Sequence, residues 1–373
     1  MTGRALLVYV EPTPYILGSI RALAQRHAGG VEAMFLTANL SQPWDLSLEG
    51  TPASILPQGK AEALGTLWKK VTRSAYSVVH LGGGWGDVRL LWIIALARMR
   101  GLPVFLESDT PLPRGLPLWK RAVKRAVYPT LFSMARALLP AGTRQAEYFR
   151  HYGVCEDRIV PVHMTVDVTT MAARCNELRA GDGRRTLRRE FGVADNAVVF
   201  IYVGRMEPYK GVRTLLDAFA GLAKTRPQVA LLVVGSGSED AIVQAASRAD
   251  TRVKALGRLN QEHVSEAYAC ADVAVLPSTF EPWGLVVNEA MAFGLPVIAT
   301  NRVGCVDDLV RDGVTGRLVA SGSQAELQSA MSELVDRATR AAMGSAARAL
   351  ISGWTLEHHA ELIVGAWQAA EAA

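Results

Sequence analysis

Apolar residues along this chain fall in short unbroken runs separated by longer amphipathic stretches. "RALLVYV" at 4–10 is the first run, followed by a Pro-rich loop "EPTPY", a helical pattern over about 17–27 and a second run, "VEAMFLT". The first half continues with "YSVVHLGGG" (76–84), a helix over 87–99, "PVFLES" (103–108) and the strand-like "RIVPV". The second half repeats the plan. "NAVVFIYVG" (196–204) is a strand, "RMEPYKG" a loop, 212–224 a helix and "VALLVVG" (229–235) a strand. "VKALG", a helix near 261–270, "VAVLPS", a helix at 284–293 and "PVIAT" follow. Continuous apolar strands alternating with helices predict parallel sheets covered on both faces. Two such halves predict an α/β chain of two Rossmann-like domains.

The expected boundaries are 1–168 for the first domain, 169–354 for the second and 355–373 for a terminal helix crossing back to the first. At roughly 100–200 residues per domain, 373 residues suit this division. Half the residues are hydrophobic and a fifth charged, which excludes a disordered chain. Cys155, Cys175, Cys270 and Cys305 are scattered without a CxxC pair, against a zinc site or disulfide framework and in keeping with a reducing cytoplasm. Only six apolar residues separate Arg4 from Glu11, a first strand rather than a signal peptide. No apolar run approaches the 18 or so residues of a membrane span.

Candidate chemistry concentrates in 277–300, "PSTFEPWGLVVNEAMAFGLPVIAT". Gly294 and Pro296 end a helix that starts near Gly284, directly after a strand. Ligands of open parallel sheets bind beyond the carboxyl ends of the strands. The N–H groups of Gly284, Leu285 and Val286 would favour a phosphate there. Glu289 could hold two neighbouring hydroxyls, as on a ribose, and Glu281 a second polyol. A bland reading, one exposed glutamate on a surface helix, weighs equally on this stretch alone. In "YVGRMEPYKG" (202–211), Arg205 and Lys210 could neutralise a diphosphate. Tyr209 stands where a Walker A loop needs glycine. "GGGWGD" and "GSGSED" each lack the third glycine of a dinucleotide fingerprint.

Together these segments resemble a family. Residues from about 196 to 320, with "VGRMEPYKG", "VVGSG", "VKALGRL", "EPWGLVVNEAMAFGLPVIAT" and "GVTGRLV", are similar to the C-terminal half of family 4 glycosyltransferases of the GT-B fold. The resemblance is weaker over 1–170. It implies two domains facing a central cleft, with Arg205 and Lys210 on the donor diphosphate, Glu289 on the ribose and Glu281 on the donor sugar. Gly284, Leu285, Val286 and Gly235 would join the donor site, and Arg258 and Leu259 would border the base. It further implies a retaining transfer with no metal or other cofactor. UDP is the favoured nucleotide and a lipid-linked or polysaccharide glycan the favoured acceptor. The first half would receive the acceptor. There "EPTPYILGS" replaces the family's Gly-Gly loop, and "ESDT" stands where many relatives have histidine, which leaves Asp109, Glu107 or His80 for that role. An epimerase or hydrolase on the same fold, or a nucleotide-binding scaffold, are the alternatives.

Charge adds one feature. The net charge is +5, yet no acidic residue lies between Asp109 and Glu147, a gap holding Arg114, Lys120, Arg121, Lys124, Arg125, Arg136 and Arg144. Within "LPLWKRAVKRAVYPTLF", Lys120, Arg121, Lys124 and Arg125 fall on one side of a helix ended near Pro129, and Trp119, Ala122, Val123, Ala126 and Val127 on the other. Such a helix could lie on an anionic membrane at the inner face of the cell, or its apolar side could be core. Nucleic acid is disfavoured, because no aromatic platform interleaves the cations. Adjacent His358 and His359 cannot form a two-ligand metal grip. Trp354 and Trp367 are expected to pack the terminal helix.

Overall fold

A computed structural model of the chain describes residues 3–38, 47–83, 85–113 and 115–371. Gly84 of the glycine run and Arg114 of the basic segment lie outside the described residues. The chain divides into two compact units, Met1–Thr165 with Leu356–Ala373, and Val166–Thr355.

The first unit is built on β1 (Arg4–Tyr9), β2 (Val31–Phe35), β3 (Ala53–Ile55), β4 (Tyr76–Gly82), β5 (Val104–Ser108) and β6 (Ala137–Pro140). They pair in parallel in the order β3-β2-β1-β4-β5-β6. Alternate residues serve opposite faces, as the two-residue strand period requires. Leu6, Val8, Val79 and Leu81 pack with Leu67, Val71, Leu90 and Ile93 of helices Lys60–Arg73 and Val88–Met99. Ala5, Leu7, Phe35 and Phe105 pack with Leu17, Ile20 and Leu23 of helix Pro14–Arg26 and with Ala360, Ile363 and Trp367 of helix Leu356–Glu371.

The second unit has β7 (Val198–Val203), β8 (Val229–Val234), β9 (Val253–Gly257), β10 (Val273–Leu276), β11 (Val297–Thr300) and β12 (Gly316–Val319). Their order is β12-β11-β10-β7-β8-β9, again parallel. The order reverses between β7 and β10, so these neighbours send their loops apart and leave a crevice above their carboxyl ends. Phe200, Leu231, Val233 and Val273 pack with Leu215, Phe219 and Leu222 of helix Val212–Thr225 and with Leu327 and Met331 of helix Gln324–Glu333. At the opposite end of the sheet, Asp272 accepts from Arg184 at 2.8 Å, Arg188 at 2.7 Å and the Val199 amide at 2.8 Å. Burial pushes the Asp272 carboxyl up, but these arginines and the amide outweigh it and hold it below the ordinary value.

Several expectations are corrected. The first helix begins at Pro14 rather than 17, because Thr13 caps it by accepting from the Ile16 amide and proline suits the first helical position. "RIVPV" makes only an isolated bridge, Leu138 with Ile159, since Pro161 has no amide to extend a ladder. The basic helix runs through Pro129 from Leu118 to Ser133. Buried Leu131 and Phe132 beyond the proline hold its last turn. Its apolar side is not core: Trp119 is 65% exposed and Val123 54%. Trp354 precedes the terminal helix and stacks on Trp283 of the second unit at 5.9 Å, whereas Trp367 is buried in the first.

Candidate functional site

In the second unit, the loops after β7 and β10 meet over the reversal of strand order. Thr279 donates to the Tyr209 carbonyl through its amide at 2.7 Å and its hydroxyl at 3.1 Å. Gly211, at φ 74°, starts helix Val212–Thr225, and a Cβ there would lie 2.2 Å from the Pro277 carbonyl oxygen. Only glycine permits both that conformation and that approach. The result sets Lys210 against Glu281, its Nζ donating to Glu281 Oε2. Both side chains are largely shielded from water, each 12% exposed.

Arg205, five residues before Lys210, donates to the Tyr209 hydroxyl at 2.6 Å. The Tyr209 ring also lies 5.9 Å from the Arg205 guanidinium and 5.6 Å from the Lys210 ammonium. One aromatic ring therefore bridges the two cations. Tyr202, at the end of β7, donates to the Arg205 carbonyl at 2.6 Å and fixes where the loop leaves the sheet.

The backbone of Glu281–Trp283 runs beside Arg302–Cys305. The Gly304 amide donates to the Glu281 carbonyl and the Cys305 amide to that of Trp283, both at 3.0 Å. Gly284, at φ 102°, then turns the chain into helix Leu285–Ala292. The first amides of a helix have no intrahelical acceptor, which leaves those at Gly284, Leu285 and Val286 at the start of this helix, three to five residues after Glu281. Within this helix Val287, Asn288, Ala290 and Met291 are buried, and Asn288 accepts from Trp283 Nε1 at 3.1 Å.

Glu289 is partly buried on the same helix, where Tyr268 donates to its Oε2 at 2.9 Å. Burial raises the Glu289 pKa to about 7, a shift the Tyr268 bond partly opposes. The Tyr268 ring stacks on Phe293 at 5.4 Å. A carboxylate in this setting gains most from a ligand that donates hydrogen bonds to its charged form.

Gly235, at φ 133°, sits at the end of β8, where a Cβ would lie 1.8 Å from the Gly204 carbonyl oxygen. Its amide donates to the Gly257 carbonyl at 2.8 Å, lacing the ends of β7, β8 and β9 together. Arg258 and Leu259 follow directly on β9. The carboxyl ends of the strands thus carry Arg205, Lys210, Gly235, Arg258, Leu259, Glu281 and the Gly284 helix start. Tyr209, noted in the sequence only as excluding a Walker A loop, and Tyr268 were not read there as site residues. Tyr209 carried a signal, its place between the two cations, but Tyr268 carried none.

The first unit has its own polar cluster at its strand-order reversal. Glu107 Oε2 accepts from His80 Nε2 at 2.9 Å and from the Tyr9 hydroxyl at 3.0 Å. Burial pushes the Glu107 carboxyl up, but His80, His359 and Tyr9 outweigh it and hold it below the ordinary value. His80 is fully buried, with its ring edge-on to Trp367 at 5.7 Å. A small cavity beside the cluster is lined by Tyr9, Tyr15, Ser19, Glu107, Thr165 and His359. Burial raises the Tyr15 hydroxyl to about 12, reinforced by the charge of nearby Asp109. His80 reaches no surface, so Tyr15 and Glu107 present this cluster to the cavity. Among the described residues no group of three or more His, Cys, Asp or Glu side chains is placed to hold a metal ion.

The family model described as "Glycosyl transferases group 1" matches residues 183–350, and that of a "Glycosyl transferase 4-like domain" matches 12–165. The D-inositol 3-phosphate glycosyltransferase of Nocardia farcinica is 35% identical over 59% of this chain and 49% of its own. That of Pseudarthrobacter chlorophenolicus is 34% identical over 76% of this chain and 66% of its own. The chain spans about half the length of the first of these relatives. Anabaena HepE in complex with UDP superposes with a TM-score of 0.79 at 20% identity, over 98% of this chain and 100% of that one. Sucrose-phosphate synthase from Thermosynechococcus elongatus gives 0.70 at 21% identity, over 99% of each. These likenesses speak to the fold, two units each with a six-stranded parallel sheet. With one family model matched on each unit, the chain belongs to the family 4 glycosyltransferases of GT-B fold.

Proposed function

We propose that the chain transfers a sugar from a nucleoside diphosphate sugar, UDP-linked by preference, to a lipid-linked or polysaccharide glycan with retention of configuration. The observation that carries this reading is the meeting of Lys210 and Glu281 over the β7–β10 reversal, beside the start of helix Leu285–Ala292. Glu289 holds the ribose hydroxyls, and Arg205, Lys210 and the amides at Gly284, Leu285 and Val286 take the diphosphate. Gly235 lets the ends of β7 and β8 close up beneath the nucleotide, Arg258 and Leu259 flank the base, and Glu281 faces the sugar.

In the reaction the bond between the sugar C1 and the β-phosphate oxygen breaks, and the departing nucleoside diphosphate keeps the electron pair. The acceptor oxygen bonds to C1 on the same face, and its proton passes to a phosphate oxygen. Fixed positive charge aimed at the leaving group lowers this barrier. Arg205 and Lys210 supply it, so the proposed reaction has no metal requirement. When the diphosphate arrives, Lys210 exchanges part of its bond to Glu281 for phosphate, which releases Glu281 toward the sugar hydroxyls.

The preference for UDP rests on the fold likeness to HepE, a protein solved in complex with UDP, with UDP and glucose, and with UDP-glucose. Tyr15, Glu107 and Asp109 of the first unit are assigned to the acceptor, with the enzyme working at the cytoplasmic face of the membrane and without nucleic acid. The relatives named for D-inositol 3-phosphate favour a second acceptor class, a soluble polyol phosphate. Incubation with UDP-sugars and each acceptor class, read by mass spectrometry of the product, separates the two. UDP-sugar hydrolysed at equal rate with and without every acceptor would overturn the transferase reading in favour of a hydrolase.

A further inference from the structure

Helix Leu118–Ser133 leaves its apolar side bare. Leu118 is 78% exposed, Trp119 65%, Val123 54% and Val127 53%. Ala122 and Ala126 are exposed between them. At 3.6 residues per turn these six positions fill about half of the helix circumference. The other half carries Lys120, Arg121, Lys124, Arg125 and Tyr128. Along 118–130 only Lys124 and Tyr128 are partly covered, so the helix turns the middle of its basic side toward its own unit and its apolar side outward. That is the reverse of a helix packed on a core.

The helix is held from its C-terminal end. Leu131 and Phe132 are buried, and the Phe132 ring contacts Trp85, Tyr128 and Phe149 at 6.3, 5.4 and 5.1 Å. Lys124 lies over the Tyr128 ring at 5.3 Å. With the covered side fixed at Lys124 and Tyr128, the exposed cations border the apolar stripe on both edges, Lys120 on one and Arg121 and Arg125 on the other. Trp119 sits in the first turn of the stripe.

We infer that helix Leu118–Ser133 docks on an anionic lipid surface, with Leu118, Trp119, Val123 and Val127 entering the headgroup boundary and Lys120, Arg121 and Arg125 meeting the phosphates. A helix lying in an interface has this cross-section: an apolar face directed into the lipid and cations at its borders, their stems along the apolar surface and their heads in the headgroups. Charge complementarity selects the lipid from other partners. No acidic residue interrupts the segment from Asp109 to Glu147, which suits a continuous field of anionic headgroups. No helix among the described residues is long and apolar enough to cross a membrane, so this attachment is to one face. The inference deepens the acceptor reading and rests on it only for why a lipid surface is visited. Vesicle binding and sugar transfer are measured separately, so either can fail alone.

The test is flotation of the intact chain with vesicles of phosphatidylcholine alone, or of phosphatidylcholine with about one third phosphatidylglycerol. Two variants accompany it: Trp119→Ser with Val123→Ser and Val127→Ser, and Lys120→Gln with Arg121→Gln and Arg125→Gln. UDP binding by each variant serves as the control for folding. The proposal predicts flotation with the anionic vesicles, reduced at least about tenfold by either variant, and little with the neutral ones. Equal flotation with both vesicle types, flotation unchanged in either variant, or none with wild type would overturn it. So would a wild-type dimer in sedimentation that the serine variant dissociates, since the stripe would then be covered by a second copy.

Discussion

Lys210 and Glu281 stand 71 residues apart in sequence, and the reversal of strand order between β7 and β10 brings them into one hydrogen-bonded ion pair. Both side chains are largely shielded from water in the crevice that a diphosphate sugar would enter under the proposed function. The pair holds the cation in the crevice before any ligand arrives, in place to meet the charge of a departing diphosphate.

Replacing Lys210 with alanine removes that cation and leaves the Glu281 carboxylate against the incoming phosphates. Turnover should fall roughly 10²–10³-fold, with a parallel loss of donor affinity. Glu281→Ala should impair transfer far more than binding of sugar-free UDP. Steady-state rates and calorimetric titration with UDP check both. Equal loss of UDP affinity and rate in Glu281→Ala would remove the division of labour between the two residues.

If Glu289 holds the ribose as proposed, its pKa of about 7 should give donor binding a pH dependence. In the proposed site the ribose hydroxyls would donate to the charged form, so binding would favour the ionised carboxylate. UDP affinity should rise as pH increases from 6 to 8, with most of the change near 7, and protons should be released on binding below that point. Glu289→Gln should bind more weakly and flatten the profile. The apo protein shows the opposite sign. A folded pKa raised above the ordinary carboxylate value contributes stability that is fully present below that value and lost as pH rises through about 7. Denaturant unfolding at pH 8 should therefore find Glu289→Gln more stable than wild type, and equal at pH 4.

Asp272 holds the second unit together away from the site. Asp272→Ala would leave the buried Arg188 charge without its carboxylate, with only the carbonyls of Asp195, Ala197 and Cys270 to accept from it, at a cost of about 3–5 kcal/mol. Urea unfolding should show this loss. At temperatures where the variant remains folded, its UDP affinity should match wild type.

Gly211→Ala tests the approach of the two loops. The new Cβ must displace the Pro277 carbonyl and accept φ 74°, so the Lys210–Glu281 pair should loosen. UDP affinity should fall by more than the loss of stability accounts for, measured by titration well below the unfolding temperature.

Most of the architecture was legible because buried parallel strands read as unbroken apolar runs, and the second unit announces them clearly. Glu281, Arg205 and Lys210 could be singled out because glycines and prolines mark the loops that carry them, and Glu289 because it is a carboxylate inside an apolar helical run. Other features were not legible: β3, β6 and β12, of three or four residues, are too short to stand out as runs, and three further misreadings have separate causes. Pro129 reads as a helix end, but Leu131 and Phe132 pack beyond it and tertiary burial outweighs the local penalty. The exposed stripe of helix Leu118–Ser133 has the same periodicity as a core-facing one, and only packing tells which side is covered. Tyr268 looks like any core aromatic until the fold places it on Glu289.

The most direct test of the central claim is thermal unfolding with UDP, GDP and ADP, each at millimolar concentration, for wild type and Glu289→Ala. A ligand at a hundred times its dissociation constant adds about 2.7 kcal/mol. The account predicts that UDP raises the wild-type midpoint most and leaves Glu289→Ala nearly unmoved. An equal response of the variant, or no response of wild type to any of the three, would contradict it.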